Sequence, residues 1–395
     1  MNPNNTFLPL LVTSRVCTTA VFMTYAACLV TLMEAWDMTA AQAGTVQAGF
    51  TAAFALSLLI ASLACDRLGA KFVYRISTLL VAVTSLAFAF YAQSLLSALF
   101  LVSLIGLAQG GTYTPALMLA SSNVPLARKA SAMGWVLSGM SAGYVVSILG
   151  ASAMLEWFDY KAAFLLTALI SVLGVPFGFL ATREIENPTK PILSETVPFS
   201  APAKRQAVLL TVGYVGHCWE LFGAWAWVPA FVASSLILTS EASFTVIGLW
   251  TACALHLTGF FSTILSGYAS DRYGAQTVLA SFALLGVICS FAIGWLPTIS
   301  PVVLLAVVAL YGFVIIGDSA VLSAAMTDTV PTHRLGAALG IRSVLGIGSG
   351  ALAPIGFGII LDVSPDALQW PGAFSLLGIG GIVALICALQ LKRPV

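Results

Sequence analysis

The sequence predicts an all-α integral membrane protein of twelve transmembrane helices, and three observations carry that prediction. Hydrophobic residues fill 59% of the 395 positions and charged residues only 8%, against about 45–50% and about 25% in soluble domains. Apolar runs of about 20 residues recur along the chain, each long enough at about 1.5 Å per residue to cross a hydrocarbon layer about 30 Å thick. Strand-type alternation is absent, which excludes a barrel.

Runs and breakers place the spans near residues 8–33, 40–63, 73–93, 97–122, 131–155, 162–181, 207–235, 244–267, 277–297, 301–325, 336–361 and 371–391. Loop charge checks the count. With the N-terminus in the cytoplasm, the inner loops and tails hold Arg67, Lys71, Arg75, Arg128, Lys129, Arg183, Lys190, Lys204, Arg205, Arg272, Arg334, Lys392 and Arg393. The outer loops then hold Lys161 as their one basic residue and collect Glu34, Asp37, Glu156, Asp159, Glu241, Asp362 and Asp366. This asymmetry is what the positive-inside rule demands, and one missed span would scramble it. Both termini are therefore expected inside, in the inner (plasma) membrane.

The opening "MNPNNTFLPLLV" lacks a basic region followed by a small-residue cleavage site, so the first span is expected to act as its own insertion signal. The longest inner connection, proline-rich and without helical period, divides the chain into halves 1–182 and 207–395 joined by a linker, 183–206. Seven cysteines stand singly in mostly apolar surroundings, without metal or disulfide spacing, and read as small buried hydrophobes.

The halves repeat each other. "CDRLGAK" from Cys65 is echoed by "SDRYGAQ" from Ser270, and "NVPLARKASAMG" from Asn123 by "TVPTHRLGAALG" from Thr329, at offsets of 205 and 206 residues. Two matches at one register argue for duplication of a six-helix unit. In these motifs the chain resembles the major facilitator superfamily of secondary transporters, whose loop signature is G-x-x-x-D-R-x-G-R-[RK]. The second copy keeps Gly267, Asp271, Arg272 and Gly274, and the first keeps Asp66, Arg67, Gly69 and Lys71. Ser62, Ala70 and Ala275 depart from the pattern. The resemblance implies two pseudo-symmetric six-helix halves. A loop aspartate beside a tight glycine turn suits a helix N-terminus, and arginines can tie it down. Asp66, Arg67, Asp271 and Arg272 are therefore read as a conformational latch on the inner face.

Subfamily signals are mostly negative. Gly106 in "GLAQG" stands where drug–proton antiporters of that superfamily carry arginine, and the fifth span has Gly134, Gly139 and Gly143 without the antiporters' proline. The nitrate-type signature is also missing. Gly139 and Gly143, like Gly346, Ser349 and Gly350, read as close helix packing.

After the loops claim their charges, Arg15, His217, Glu220, His256, Asp318 and Arg342 remain inside spans, with Asp328 near an inner helix end. An ionisable group at the bilayer centre costs about 2.5–3.5 kcal/mol on insertion scales and by default marks a solute or ion path. His217 and Glu220 lie about 15 and 20 Å into the seventh span and His256 about 18 Å into the eighth, near the midplane. His217 and Glu220, three residues apart, share a helix face, as do Gln109 and Tyr113, four apart. The repeat maps Arg15 onto Glu220 and Tyr113 onto Asp318.

The expected function is secondary transport of a small polar solute, an organic anion and specifically a carboxylate, coupled to protons. Arg15 and Arg342 would grip the anion, since a guanidinium forks onto a carboxylate. Glu220 with His217 would carry the proton, and Gln109, Tyr113, His256 and Asp318 complete the solute- and proton-binding set. Alternatives are a drug or metabolite exporter, a divalent-metal transporter using His217, Glu220, His256 and Cys253, and a membrane sensor that moves no solute. The expected partners are the solute, protons and the lipid bilayer, with no nucleic acid, metal or cofactor, in a monomer. No nucleotide loop or nucleophile–base constellation suggests an enzyme.

Overall fold

The computed structural model describes residues 6–124, 129–185, 187, 199–239, 242–296 and 299–391. Among the loop charges, Arg128, Lys190, Glu241, Lys392 and Arg393 lie outside the described residues, as do the side chains of Asp66, Lys129 and Arg334. The described chain is helical, without strands. The first span comprises α1 (Phe7–Thr19), α2 (Thr24–Ala27) and α3 (Leu29–Ala35). It is followed by α4 (Ala40–Leu68), α5 (Ala70–Tyr91), α6 (Leu95–Ser122), α7 (Lys129–Trp157), α8 (Tyr160–Ala181) and α9 (Ala201–Thr239). The eighth span is α10 (Phe244–Ala252), a π turn (Cys253–Leu257) and α11 (Thr258–Tyr273). Then come α12 (Ala275–Ile293), α13 (Pro301–Thr329), α14 (Thr332–Gly350), α15 (Ala353–Val363) and α16 (Gln369–Gln390).

Eleven of the spans are long and apolar enough to cross a membrane, and α1 is a shorter apolar helix. The expected all-α membrane fold is what forms. The first span breaks after Thr19, in a segment where hydroxyls bond the backbone. Thr18 donates to the Ser14 carbonyl, Thr19 to that of Arg15 and Thr24 to that of Ala20, while the Met23 N–H donates to Ser147 Oγ at 3.1 Å. At the other extreme, α9 starts six residues earlier than hydropathy suggests. Lys204 and Arg205 extend the helix past its apolar stretch, and Arg205 donates to Gln390 Oε1 at 3.3 Å.

Both copies of the loop motif turn on a glycine that no other residue replaces easily. Gly69 and Gly274 have φ 82°, ψ 147° and φ 84°, ψ 147°, a region that side chains enter at a cost of about 1–3 kcal/mol. A β-carbon at Gly69 would also strike the side chain of Asn187, which accepts from the Lys71 N–H and donates to the Leu68 carbonyl. At Gly274 nothing lies within 4 Å. Gly274→Ala is therefore expected to cost the backbone strain alone and Gly69→Ala more, which the order of melting temperatures checks.

Contacts group the chain into two compact units. One contains Met1–Asp37, Gly49–Pro191 and Ser243–Ala252, and the other Met38–Ala48, Ile192–Ala242 and Cys253–Val395. The first has an apolar core that includes Leu11, Cys65, Tyr74 and Leu119, and the second one that includes Leu210, Leu279, Leu322 and Met326. Within the second unit, the Asp362 carboxylate of α15 accepts from the N–H groups of Ala40 and Ala41, both at 2.8 Å, at the start of α4. Gly358 and Gly44 leave no room for a β-carbon between these helices. Within the first unit, Glu156 of α7 accepts from the Thr245 N–H at 2.9 Å, at the start of α10. A carboxylate satisfies unpaired N–H groups at a helix start and suits its dipole. Two of the acids read from sequence as outer-loop charges are thus helix caps, 206 residues apart in the repeat register.

Candidate solute-binding site

In the first unit, α1 and α6 hold a cation. Arg15 is 2% exposed and is the one buried charged side chain among that unit's described residues. Its Nη1 donates to Thr112 Oγ1 at 2.5 Å, and its Nε meets no acceptor. Gln109, one turn before Thr112 on α6, donates from Nε2 to the Thr18 carbonyl at 2.5 Å, and its Oε1 lies 3.1 Å from Thr112 Oγ1. Tyr113, next to Thr112 on α6, is half-buried. Gly139 of α7 faces the Arg15 β-carbon and Gly143 faces Thr19, so the small residues let α7 close on α1.

In the second unit, four side chains form a ladder. The Arg342 guanidinium of α14 sits 4.2 Å from the ring centre of Tyr214, whose ring lies 5.6 Å from that of His217 at 31°. His217 Nδ1 is 2.9 Å from Asp318 Oδ1, and its Nε2 is 2.9 Å from Ser319 Oγ. Arg342 donates to the Leu322 carbonyl and to Ser323 Oγ, each at 3.1 Å, and its Nε meets no acceptor. Gly346 is small because Tyr214 occupies the space of a side chain there.

The His217 ring thus meets a carboxylate on one side and a hydroxyl on the other, and Asp318 Oδ1 has no hydrogen-bond partner although the imidazole lies 2.9 Å away.

Glu220 points elsewhere. Ser290 of α12 donates to its Oε1 at 2.6 Å and lies 2.9 Å from the Tyr311 hydroxyl of α13. Gly286 and Gly381 line its niche, where added β-carbons would come within 3.3 and 3.0 Å of the carboxylate. The helix face shared by His217 and Glu220 therefore splits, with His217 meeting α13 and Glu220 meeting α12. With its oxygen still held by Ser290, Glu220→Gln is expected to leave the melting temperature close to that of the parent protein, because an amide can replace a hydrogen-bonded carboxyl.

His256 lies in the π turn, 2% exposed, with its ring 5.9 Å from that of Trp225. No group of three His, Cys, Asp or Glu placed to hold a metal occurs among the described residues. Arg67, Asp271, Arg272 and Asp328 are exposed at helix ends. Arg272 stacks on Tyr273, with 5.4 Å to the ring centre. Sequence reasoning missed Thr112, Tyr214, Ser290, Tyr311 and Ser319. Tyr214 and Ser319 carried a signal, one three residues before His217 and the other next to Asp318.

The model of the Major Facilitator Superfamily matches residues 11–341 and 227–395. The chain belongs to this superfamily. Among its relatives are the hexuronate transporter of Bacillus subtilis, 25% identical over 91% of this chain and 87% of the relative, and the cis,cis-muconate transport protein of Acinetobacter baylyi, 25% identical over 80% and 79%. A solved nucleoside transporter superposes with a TM-score of 0.76 at 15% identity, over 98% of this chain and 99% of its own. At that identity the likeness concerns the fold. The superfamily assignment agrees with the signature read around Asp66 and Asp271.

Proposed function

We propose that this superfamily member is a proton-coupled secondary transporter of a small organic anion, a carboxylate, working by alternating access in the inner membrane with both termini cytoplasmic. One observation carries the reading. Two guanidinium groups, Arg15 and Arg342, are buried at 2% and 6% exposure, and neither has a carboxylate partner among the described residues, where the sole ion pair is His217–Asp318. A buried charge without a counter-ion is costly, and an anionic solute supplies the missing partner. Arg15 is the anion-gripping group of the first unit and Arg342 that of the second. Gln109 positions Thr112 and the first span for it, and Tyr113 and His256 complete the binding set.

Protons bind at His217 and Asp318, and Glu220 ties α9 to α12. Residues 1–182 and 207–395 move as the two halves across the linker 183–206, with Asp66, Arg67, Asp271 and Arg272 as the inner latch. The two relatives are both named for carboxylates, which supports the anion reading. Solute counterflow in proteoliposomes, with and without a pH gradient, tests it. Carboxylate exchange that accumulates solute only with the gradient is expected, and exchange of cations or neutral solutes alone overturns the reading.

A further inference from the structure

Two helix starts hand part of their capping to acids far away in the chain. α4 satisfies its third N–H locally, since the Gln42 N–H donates to Thr39 Oγ1 at 3.2 Å while Gln42 Oε1 accepts from the Thr39 N–H at 2.9 Å. Its first two, on Ala40 and Ala41, go to Asp362 of α15. α10 follows the same scheme, with Ser243 Oγ accepting from the Val246 N–H at 3.4 Å and Glu156 of α7 accepting from the Thr245 N–H. The arrangement therefore occurs once in each unit, at matching places of the repeat.

The capped helices meet their partners along smooth seams. A β-carbon at Gly44 would strike the Pro354 carbonyl, one at Gly358 the Ala40 carbonyl, and one at Gly248 the Ser152 side chain. Backbones approach closely there without interlocking side chains. Asp362 and Glu156 are themselves exposed, so water takes their place whenever a helix start moves away. Each cap is then a contact of modest strength, about two- to thirtyfold in an equilibrium.

Each capped segment also groups apart from the remainder of its own span. Residues 38–48 group with α15, while the second span continues from Gly49 in the first unit. Residues 243–252 group with α7, while the eighth span continues from Cys253 in the second. In the eighth span this change falls at the π turn, Cys253–Leu257, an irregularity of the kind at which helices bend.

Resting on the alternating-access reading, we propose that Asp362 and Glu156 form a two-part outer latch, the counterpart of the inner loops. Both caps are made while the starts of α4 and α10 lie against α15 and α7, and both break when those ends part to open the outer side. Because the two hold one and the same state, their strengths multiply. Fixed structural caps would instead stay made throughout the transport cycle.

The test measures spin-label distances on the full chain in lipid nanodiscs, with Cys253→Ala removing the half-buried cysteine and the six buried ones left in place. One label pair, Gln42→Cys with Val363→Cys, reports α4 against α15, and another, Trp157→Cys with Phe244→Cys, reports α7 against α10. Asp362→Asn and Glu156→Gln are each expected to raise the ratio of longer to shorter distances about two- to thirtyfold at both pairs, and the double variant by the product. The asparagine should act more strongly, because it turns an amide donor toward one of two N–H groups. If the double variant does not fold, the single variants test the same shift. A shift confined to the pair beside the altered residue, or longer distances that neither variant changes, overturns the latch and leaves alternating access standing. Short distances alone at both pairs in every variant overturn both.

Discussion

Replacing Arg15 by methionine is expected to abolish solute binding while raising the melting temperature of the unliganded protein. The two effects share one cause. In the unliganded molecule the guanidinium is buried, with Thr112 accepting from its Nη1 and no carboxylate paired with it among the described residues, so removing the charge relieves a desolvation cost. In the complex the same group meets the solute's charge, and truncating one partner of a buried charge pair costs about 2–5 kcal/mol, roughly 30- to several thousand-fold in affinity. Arg15→Lys is expected to fall between, since an ammonium keeps the charge but loses the planar fork. Binding by thermal shift and melting of the free protein are read from one titration. A methionine variant that binds normally removes Arg15 from the site, and one that melts lower shows that the charge is compensated within the protein.

Asp318→Asn is expected to separate transport from its driving force. Asparagine keeps the shape of the side chain beside His217, so the ladder up to Tyr214 and Arg342 should persist, but the carboxylate charge is lost. One pH unit is worth about 1.36 kcal/mol per proton, so the parent protein should concentrate solute up to about tenfold per unit. Under symport the solute collects on the alkaline side, and under antiport on the acidic side. In the variant the accumulation ratio should fall to about one while counterflow continues. Full accumulation in the variant would move the proton elsewhere, with Glu220 the next residue to test.

The membrane fold was legible because hydropathy and loop charge are one-dimensional signals. Each span is a run, and each inner loop carries Arg or Lys. The repeat was legible for the same reason, and with it the glycines at 69 and 274. Helix periodicity also gave the shared face of His217 and Glu220, but not the neighbours on that face. A side chain on α9 can meet α12, α13, α14 or α16, and a turn of about 100° per residue sends His217 and Glu220 to different ones. The π turn at Cys253–Leu257 has no composition of its own, and the break after Thr19 shows only as a cluster of threonines. Asp362 and Glu156 looked like ordinary outer charges because a cap formed across hundreds of residues leaves no local pattern.

The Asp362 cap bears on biosynthesis. It joins Ala40 to a residue 322 positions later in the chain, and at about 5–20 residues per second that gap represents roughly 15–65 s of translation. The start of α4 enters the bilayer long before its partners on α15 exist. Two backbone N–H groups and the bare face around Gly44 must wait through the synthesis of nine more spans, exposed to lipid or to whatever insertion machinery shields them. Completion of the second unit is therefore a late, long-range event, in which one of the earliest segments made is among the last to find its place.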